Sequence, residues 1–272
     1  MNNKTRRNKR MILCVIFLAA IAGVFITGGM VAQTDTAADF SRKNLPPSWA
    51  YPFGTDWLGR NMLLRTVKGL FLSIRLGLAS SVVSAALAVL IGVIAGVGSR
   101  RVDAAVGWII DLVMGIPHMI LLILISFACG RGETGLFVGV VFTHWTGLAR
   151  LVRAEVLQLR SQHYITVSRR LGHSRAWILL RHILPHILPQ LAVGLVLMFP
   201  HAVLHESALS FLGFGLPPEQ PAIGIILSES IKYLSGAMWW LAFFPGAMLA
   251  AVVLMFDKLG DSLRIIGEKH GE

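Results

Sequence analysis

The chain has 272 residues, of which 55% are hydrophobic and only 14% charged; soluble domains carry about 25% charged residues. So little charge excludes an ordinary soluble enzyme and requires that a large part of the chain sit in lipid. The net charge of +11 would suit nucleic acid, but the basic residues cluster in the gaps between apolar runs. That is the pattern of a membrane protein obeying the positive-inside rule, with lipid and not nucleic acid as its partner.

Residues 1–10 hold Lys4, Arg6, Arg7, Lys9 and Arg10 and precede an apolar run at 11–31. A cleavable signal peptide competes here. The run, at about 20 residues, is long enough to span a bilayer, and is read as an uncleaved first transmembrane helix starting in the cytoplasm. Cys14 and Cys129 lie in apolar surroundings with no CxxC partner, so neither a disulfide framework nor a zinc site follows. Residues 32–70 form an extracytoplasmic segment in which Pro46, Pro47 and Pro52 break any helix. Within it, Phe53-Gly54-Thr55-Asp56-Trp57-Leu58-Gly59-Arg60-Asn61 brings Asp56 and Arg60 close enough to pair, and its glycines permit tight turns. A packed loop is the expectation.

Residues 71–257 make the transmembrane core. A second span over Leu76–Val97 is rich in the small residues that let helices approach closely in lipid: Gly77, Ala79, Ser80, Ser81, Ser84, Ala85 and Ala86. A third covers Ala104–Ala128 with Asp111, Pro117 and His118 inside it. A fourth runs over Leu136–Leu151, with Arg150 and Arg153 at its end. The basic interlude 154–187 then places Tyr164, Ser168 and Leu171 at i, i+4 and i+7 of a short amphipathic helix. Gly172 ends that helix, Ser174 caps a second, and Pro185 limits it. The fifth span covers Leu188–Phe211. A segment with Pro217, Pro218 and Pro221 leads to a short helix over Gly224–Leu234, Trp239 and Trp240 anchor the interface, and a sixth span runs to Phe256 before a cytoplasmic tail at 258–272. With both termini inside, the cytoplasmic segments 1–10, 99–103, 150–186 and 258–272 hold 17 of the 25 Lys and Arg, which favours this orientation over its opposite.

Several stretches carry a resemblance. Residues 164–189 resemble the cytoplasmic coupling loop of permease subunits of ATP-binding-cassette (ABC) importers in Gly172 and in the ending His182-Ile183-Leu184-Pro185; Thr166-Val167-Ser168 stands where that family has Glu-Ala-Ala. Without the rest of the chain, a generic basic juxtamembrane loop is an equal reading. Residues 53–61 resemble the Phe-Gly-Thr-Asp-x-x-Gly-Arg-Asp element of peptide and nickel permeases, with Asn61 for the last Asp. Leu148-Ala149-Arg150-Leu151-Val152-Arg153, Glu206 to Gly215 and Leu259-Gly260-Asp261-Ser262-Leu263-Arg264 resemble three further elements of that family, in the same order. The chain is identified as similar to the permease subunits of dipeptide, oligopeptide or nickel ABC importers. The resemblance implies an all-α integral membrane protein with six transmembrane helices and a coupling-helix loop, the type I importer fold. It implies a bacterial or archaeal cytoplasmic (inner) membrane, a second homologous permease, two cytoplasmic ATPase subunits and an extracytoplasmic solute-binding protein. The ATPase would dock on Tyr164, Thr166, Ser168, Arg169, Leu171, Gly172 and His173.

No Gly-x-x-x-x-Gly-Lys-Ser/Thr phosphate loop occurs and no catalytic set stands out, so the chain is read as a non-catalytic subunit with no cofactor of its own, and ATP and Mg belong to the partner. Ionisable groups at membrane depth are costly and face a partner or a water path. His201 and His205 lie four apart on the fifth span, with Met198 on the same stripe, and imidazole suits nickel and other late transition metals. Hydrogen bonding across helices is the plainer reading of such a pair. Because His144-Trp145 and His201-x-x-x-His205 resemble nickel permeases, the expectation is a path for nickel or another transition metal, free or chelated, past Met198, His201, His205 and His144, with His201 and His205 as metal ligands. Peptide cargo is the alternative. A stand-alone secondary transporter or channel, or a non-transporting scaffold, are alternatives of other classes. Asp111 is read as a brace for the third span, Glu206 as an anchor for the fifth and His118 as packing.

Overall fold

An apolar run in lipid has no water to satisfy its backbone N–H and C=O groups, so it satisfies them internally as helix. The computed structural model, which describes residues 3–32 and 38–268, follows that rule throughout. Its elements are α1 (Asn3–Ala32), α2 (Met62–Val97), α3 (Arg100–Gly115), α4 (His118–Ala128), α5 (Gly132–Arg160), α6 (His163–Arg170), α7 (Arg175–Ile178), α8 (Leu184–Phe211), α9 (Ile223–Leu234) and α10 (Trp240–Glu268). Residues 1–2 of the basic N-terminus, 33–37 of the segment after α1, and 269–272 of the C-terminal tail lie outside the described residues. The stretches Met62–Val97, Gly132–Arg160, Arg175–Phe211 and Trp240–Arg264 are each long and apolar enough to cross a membrane, and α3 with α4 makes a fifth if the bent pair is one span. α1 adds a shorter apolar stretch, Val15–Val31.

Several boundaries differ from the sequence expectation, and four of them have a clear local reason. The segment between the first two spans, expected to reach 70, gives way to helix earlier: α2 starts at Met62 because the Asn61 side chain accepts from the N–H groups of Leu63 and Leu64. The third span is not one rod. Ile116 is pushed to extended backbone by the following proline, and α3 and α4 meet there at 96°. The fourth span runs well past Leu151, to Arg160. Pro185 does not stop α7. A wide π-turn over Leu179–Ile183, closed by the Leu184 N–H on the Leu179 carbonyl, carries the chain into α8, where Pro185 sits in the first turn and its missing N–H costs little.

α2 is the central rod and lies longest against α5. Gly77, Ser80, Ser81, Ser84 and Ala85 are buried along it, whereas Ala79 and Ala86 face outward. A Cβ on Gly92 would lie 2.7 Å from both the Ala149 carbonyl oxygen and Val152 Cβ, so this approach requires a hydrogen side chain. Charged clasps hold helices at the rims. Arg153 grips both carboxylate oxygens of Asp103 at 2.5 and 2.9 Å, Arg150 reaches Asp111 at 2.6 Å, and Arg75 bonds Glu133.

The loop before α2 is packed as expected. Asp56 is fully buried; its Oδ1 accepts from the N–H groups of Leu58 and Arg60, both at 2.9 Å. Its Oδ2 meets Arg60 at 2.7 Å and Arg65 at 3.2 Å, and Arg65 goes on to Glu229 of α9 at 2.5 Å. Trp57 stacks on Tyr233 at 4.7 Å and Phe53 on Phe244 at 4.4 Å. The element 53–61 thus ties the start of α2 to α9 and α10.

Candidate functional site

Two places in the fold gather chemistry. The first is the turn between α5 and α8. α6 ends in a Schellman arrangement: the His173 N–H reaches the Ser168 carbonyl and the Gly172 N–H that of Arg169. Gly172 has φ +88°, a backbone conformation that side chains with a Cβ resist. Ser174 then caps α7 through the Trp177 N–H at 3.2 Å. Of the residues expected to dock an ATPase, Tyr164, Thr166, Arg169, Leu171, Gly172 and His173 are exposed. Ser168 is not: it is buried with Ile165 on the inward face, so the amphipathic stripe is Ile165–Ser168 and Leu171 stands 72% exposed beyond it. Trp177, which nothing in the pattern singled out, stacks on His173 at 3.8 Å and meets His182 edge-on at 5.1 Å; Tyr164 closes on His182 at 5.8 Å. The turn therefore presents an aromatic ridge between arginines. Arg160, Arg169 and Arg175 also line a cavity of about 90 Å³ with Val97, Ile178 and Ile183.

The second place is inside the helical body. The α3–α4 break delivers His118, the first residue of α4, to a point where α5 brings His144 and α8 brings His205. Their ring centroids lie 4.7 Å (118–144), 4.4 Å (118–205) and 5.1 Å (144–205) apart. All three are half-buried, and each can offer a ring nitrogen such that the three lie within 4.8 Å of one another. His144 Nδ1 sits 3.0 Å from the Val140 carbonyl and 3.1 Å from the Thr143 hydroxyl, whose proton goes to the Gly139 carbonyl at 2.9 Å, and His205 Nδ1 lies 2.7 Å from the His201 carbonyl. A carbonyl only accepts, so both Nδ1 atoms carry the proton and both Nε2 atoms present a lone pair. The Nε2 atoms of His118 and His144 are buried without a hydrogen-bond partner.

This arrangement redistributes the residues picked from sequence. His144 and His205 come together, but His201 is exposed and enters only through its carbonyl. The rings of the i, i+4 pair do not come together; the ring that joins those of His144 and His205 is His118, read from sequence as packing. Met198 is 8% exposed within the apolar core between α2, α5 and α8. Asp111 braces α3 against α5 through Arg150. Glu206 is 1% exposed and accepts from Ser207 and Ser210 on its own helix. Trp240 is buried with its Nε1–H toward the Thr55 carbonyl at 3.4 Å, while Trp239 is half exposed, so only Trp239 has the setting of an interfacial anchor.

Residues 88–264 match the family described as "Binding-protein-dependent transport system inner membrane component". The dipeptide transport system permease protein DppC of Bacillus subtilis is 30% identical over 96% of this chain and 81% of its own length. The oligopeptide transport system permease protein OppC of the same organism is 31% identical over 95% of this chain and 85% of its own. A putative peptide transport system permease protein of Brucella abortus is 35% identical over 97% and 87%. Among solved structures, a chain of the MetNI methionine ABC transporter in an inward-facing conformation superposes with a TM-score of 0.61 at 20% identity, covering 75% of this chain and 97% of that one, which establishes a shared fold.

Proposed function

The chain belongs to the family of binding-protein-dependent transport system inner membrane components, the permease subunits of ABC importers, and on that premise we propose that its cargo is peptide. One observation carries the choice of cargo: relatives named for dipeptide, oligopeptide and peptide transport align over 95–97% of the chain at 30–35% identity. That favours the peptide alternative over nickel. Family membership likewise sets aside a stand-alone transporter and a passive scaffold.

In this reading the chain pairs with a second, different permease, and a solute-binding protein delivers cargo from outside. The exposed turn α6–Gly172–α7 receives a cytoplasmic ATPase, whose closure on ATP moves a two-state membrane element between inward- and outward-open forms. The turn suits the task mechanically. α7 runs without a break through the π-turn into α8, so a push on Trp177 is delivered along a membrane rod and not lost in a loop. In this reading the chain's residues orient the rods and present the turn, and the bond chemistry belongs to the ATPase partner.

A second reading keeps nickel or a chelated transition metal as cargo, favoured by the meeting of His118, His144 and His205. The test is uptake of labelled dipeptide against labelled nickel in a strain lacking the gene and in the same strain complemented. Restored dipeptide uptake is expected; restoration of nickel alone would replace the peptide reading with the second one.

A further inference from the structure

We propose that His118, His144 and His205 form a binding site for a single late first-row divalent cation of the nickel, copper or zinc class, held through their Nε2 atoms. The inference goes beyond the choice of cargo and stands on proton counting. With Nδ1–H of His144 and His205 committed to backbone carbonyls, two of the three rings bring only lone pairs to the centre. Neutral His118 adds at most one N–H. Three imidazoles packed at 4.4–5.1 Å between centroids thus share a surplus of acceptors, and the Nε2 atoms of His118 and His144 are buried with no partner. A buried acceptor left unpaired costs about 1–3 kcal/mol; a shared Lewis acid removes that cost at both of these rings and takes the His205 lone pair as its third contact.

The carbonyl contacts are also what metal-binding histidines use to fix their tautomer and aim the other nitrogen. Neutral imidazoles suit these ions. At nitrogen–metal distances of about 2.0–2.1 Å, tetrahedral geometry sets ligand nitrogens roughly 3.4 Å apart. The nitrogens here lie within 4.8 Å of one another, so closing onto an ion asks each pair to approach by about 1.4 Å at most. Because the rings are only half-buried, the ion keeps an open side for water or a small anionic chelator, which offsets the charge of an otherwise neutral ligand set. The three ligands stand on three helices, one of them the first residue after the 96° break. Loading would therefore fasten α4 to α5 and α8 and limit motion at Ile116-Pro117.

The test is equilibrium dialysis of the full chain, purified without a polyhistidine tag, against Ni²⁺ and in parallel Cu²⁺, with the bound metal counted and Cu²⁺ examined by EPR. Near-stoichiometric binding with nitrogen hyperfine coupling is expected. Loss of a mere outer partner of a metal ligand costs about 10–100-fold in affinity, so His118→Ala, His144→Ala and His205→Ala should each lower it by at least about tenfold. His118→Gln, His144→Gln and His205→Gln repeat the comparison with better packing in case an alanine variant fails to fold. His201→Ala should leave binding intact. No stoichiometric metal on the parent chain, binding that survives all three substitutions, or equal loss in His201→Ala would each overturn the proposal. Peptide uptake is not a readout here, so failure of this site and failure of the peptide reading are separable.

Discussion

Replacing Asp56 by Ala is the most severe single change the fold implies outside the helices. The carboxylate is fully buried and satisfies two backbone N–H groups and two guanidinium groups at once. Its removal leaves Arg65, whose side chain is 3% exposed, with Glu229 alone, and breaking a buried ion pair by deleting one partner costs about 3–5 kcal/mol. The two orphaned N–H groups, of Leu58 and Arg60, add about 1–3 kcal/mol each if no water reaches them. Asp56→Asn should be milder, since its amide oxygen can keep the two backbone donors, although its NH2 group then faces the Arg60 and Arg65 guanidiniums as a donor and both ion pairs are lost. The assay is thermal unfolding of the detergent-purified chain followed by loss of the monodisperse species on size exclusion. The expected order of midpoints is parent, then Asp56→Asn, then Asp56→Ala, with the alanine variant poorly recovered from membranes. An alanine variant as stable as the parent would refute the idea that this buried network holds α2 to α9.

Three further outcomes follow from particular contacts. Gly92→Leu should separate α2 from α5, since even a Cβ would lie 2.7 Å from the Ala149 oxygen; a cost of about 1–3 kcal/mol should show as increased proteolysis of the membrane-inserted chain. Gly172→Val should abolish uptake while leaving the amount of inserted chain unchanged. A Cβ there meets nothing within 4 Å, so the penalty is conformational, about 1–2 kcal/mol, and Gly172→Asn should retain more uptake because Asn tolerates positive φ. Trp177→Ala should lower ATP-driven uptake without changing insertion; unchanged uptake would remove the aromatic ridge from the docking surface.

Much of the fold is legible in the sequence because lipid leaves few options: a long apolar run becomes helix, and the runs around residues 76–97, 136–151 and 188–211 fall inside the rods observed. What escapes is what depends on neighbours. Pro117 marks a bend by its chemistry, but the 96° between α3 and α4 is set by what each packs on. Pro185 reads as a stop because an inner-helix proline clashes with the carbonyl four residues back; a π-turn just before it removes that conflict, and one-dimensional rules do not anticipate it.

The site shows the same division. His201 and His205 attract notice together since helical periodicity relates residues of one helix only. The observed partners come from α4, α5 and α8, and no local spacing connects them. Tyr164, Ser168 and Leu171 share one face by their i, i+4 and i+7 spacing, yet of the three only Ser168 is buried; the helix ends at Arg170, and Leu171 after its end turns outward. Trp177 was legible as an aromatic but not as a stacking partner for His173, which requires the Gly172 turn to fold α7 back.

The central claim is that the turn α6–Gly172–α7 faces the cell interior, where an ATPase can press on it. Leu171, 72% exposed, is the place to ask. In a chain with Cys14 and Cys129 replaced, Leu171→Cys should react with a membrane-impermeant maleimide in inside-out vesicles and not in intact cells. Labelling in intact cells would put the turn on the outer surface and contradict the account.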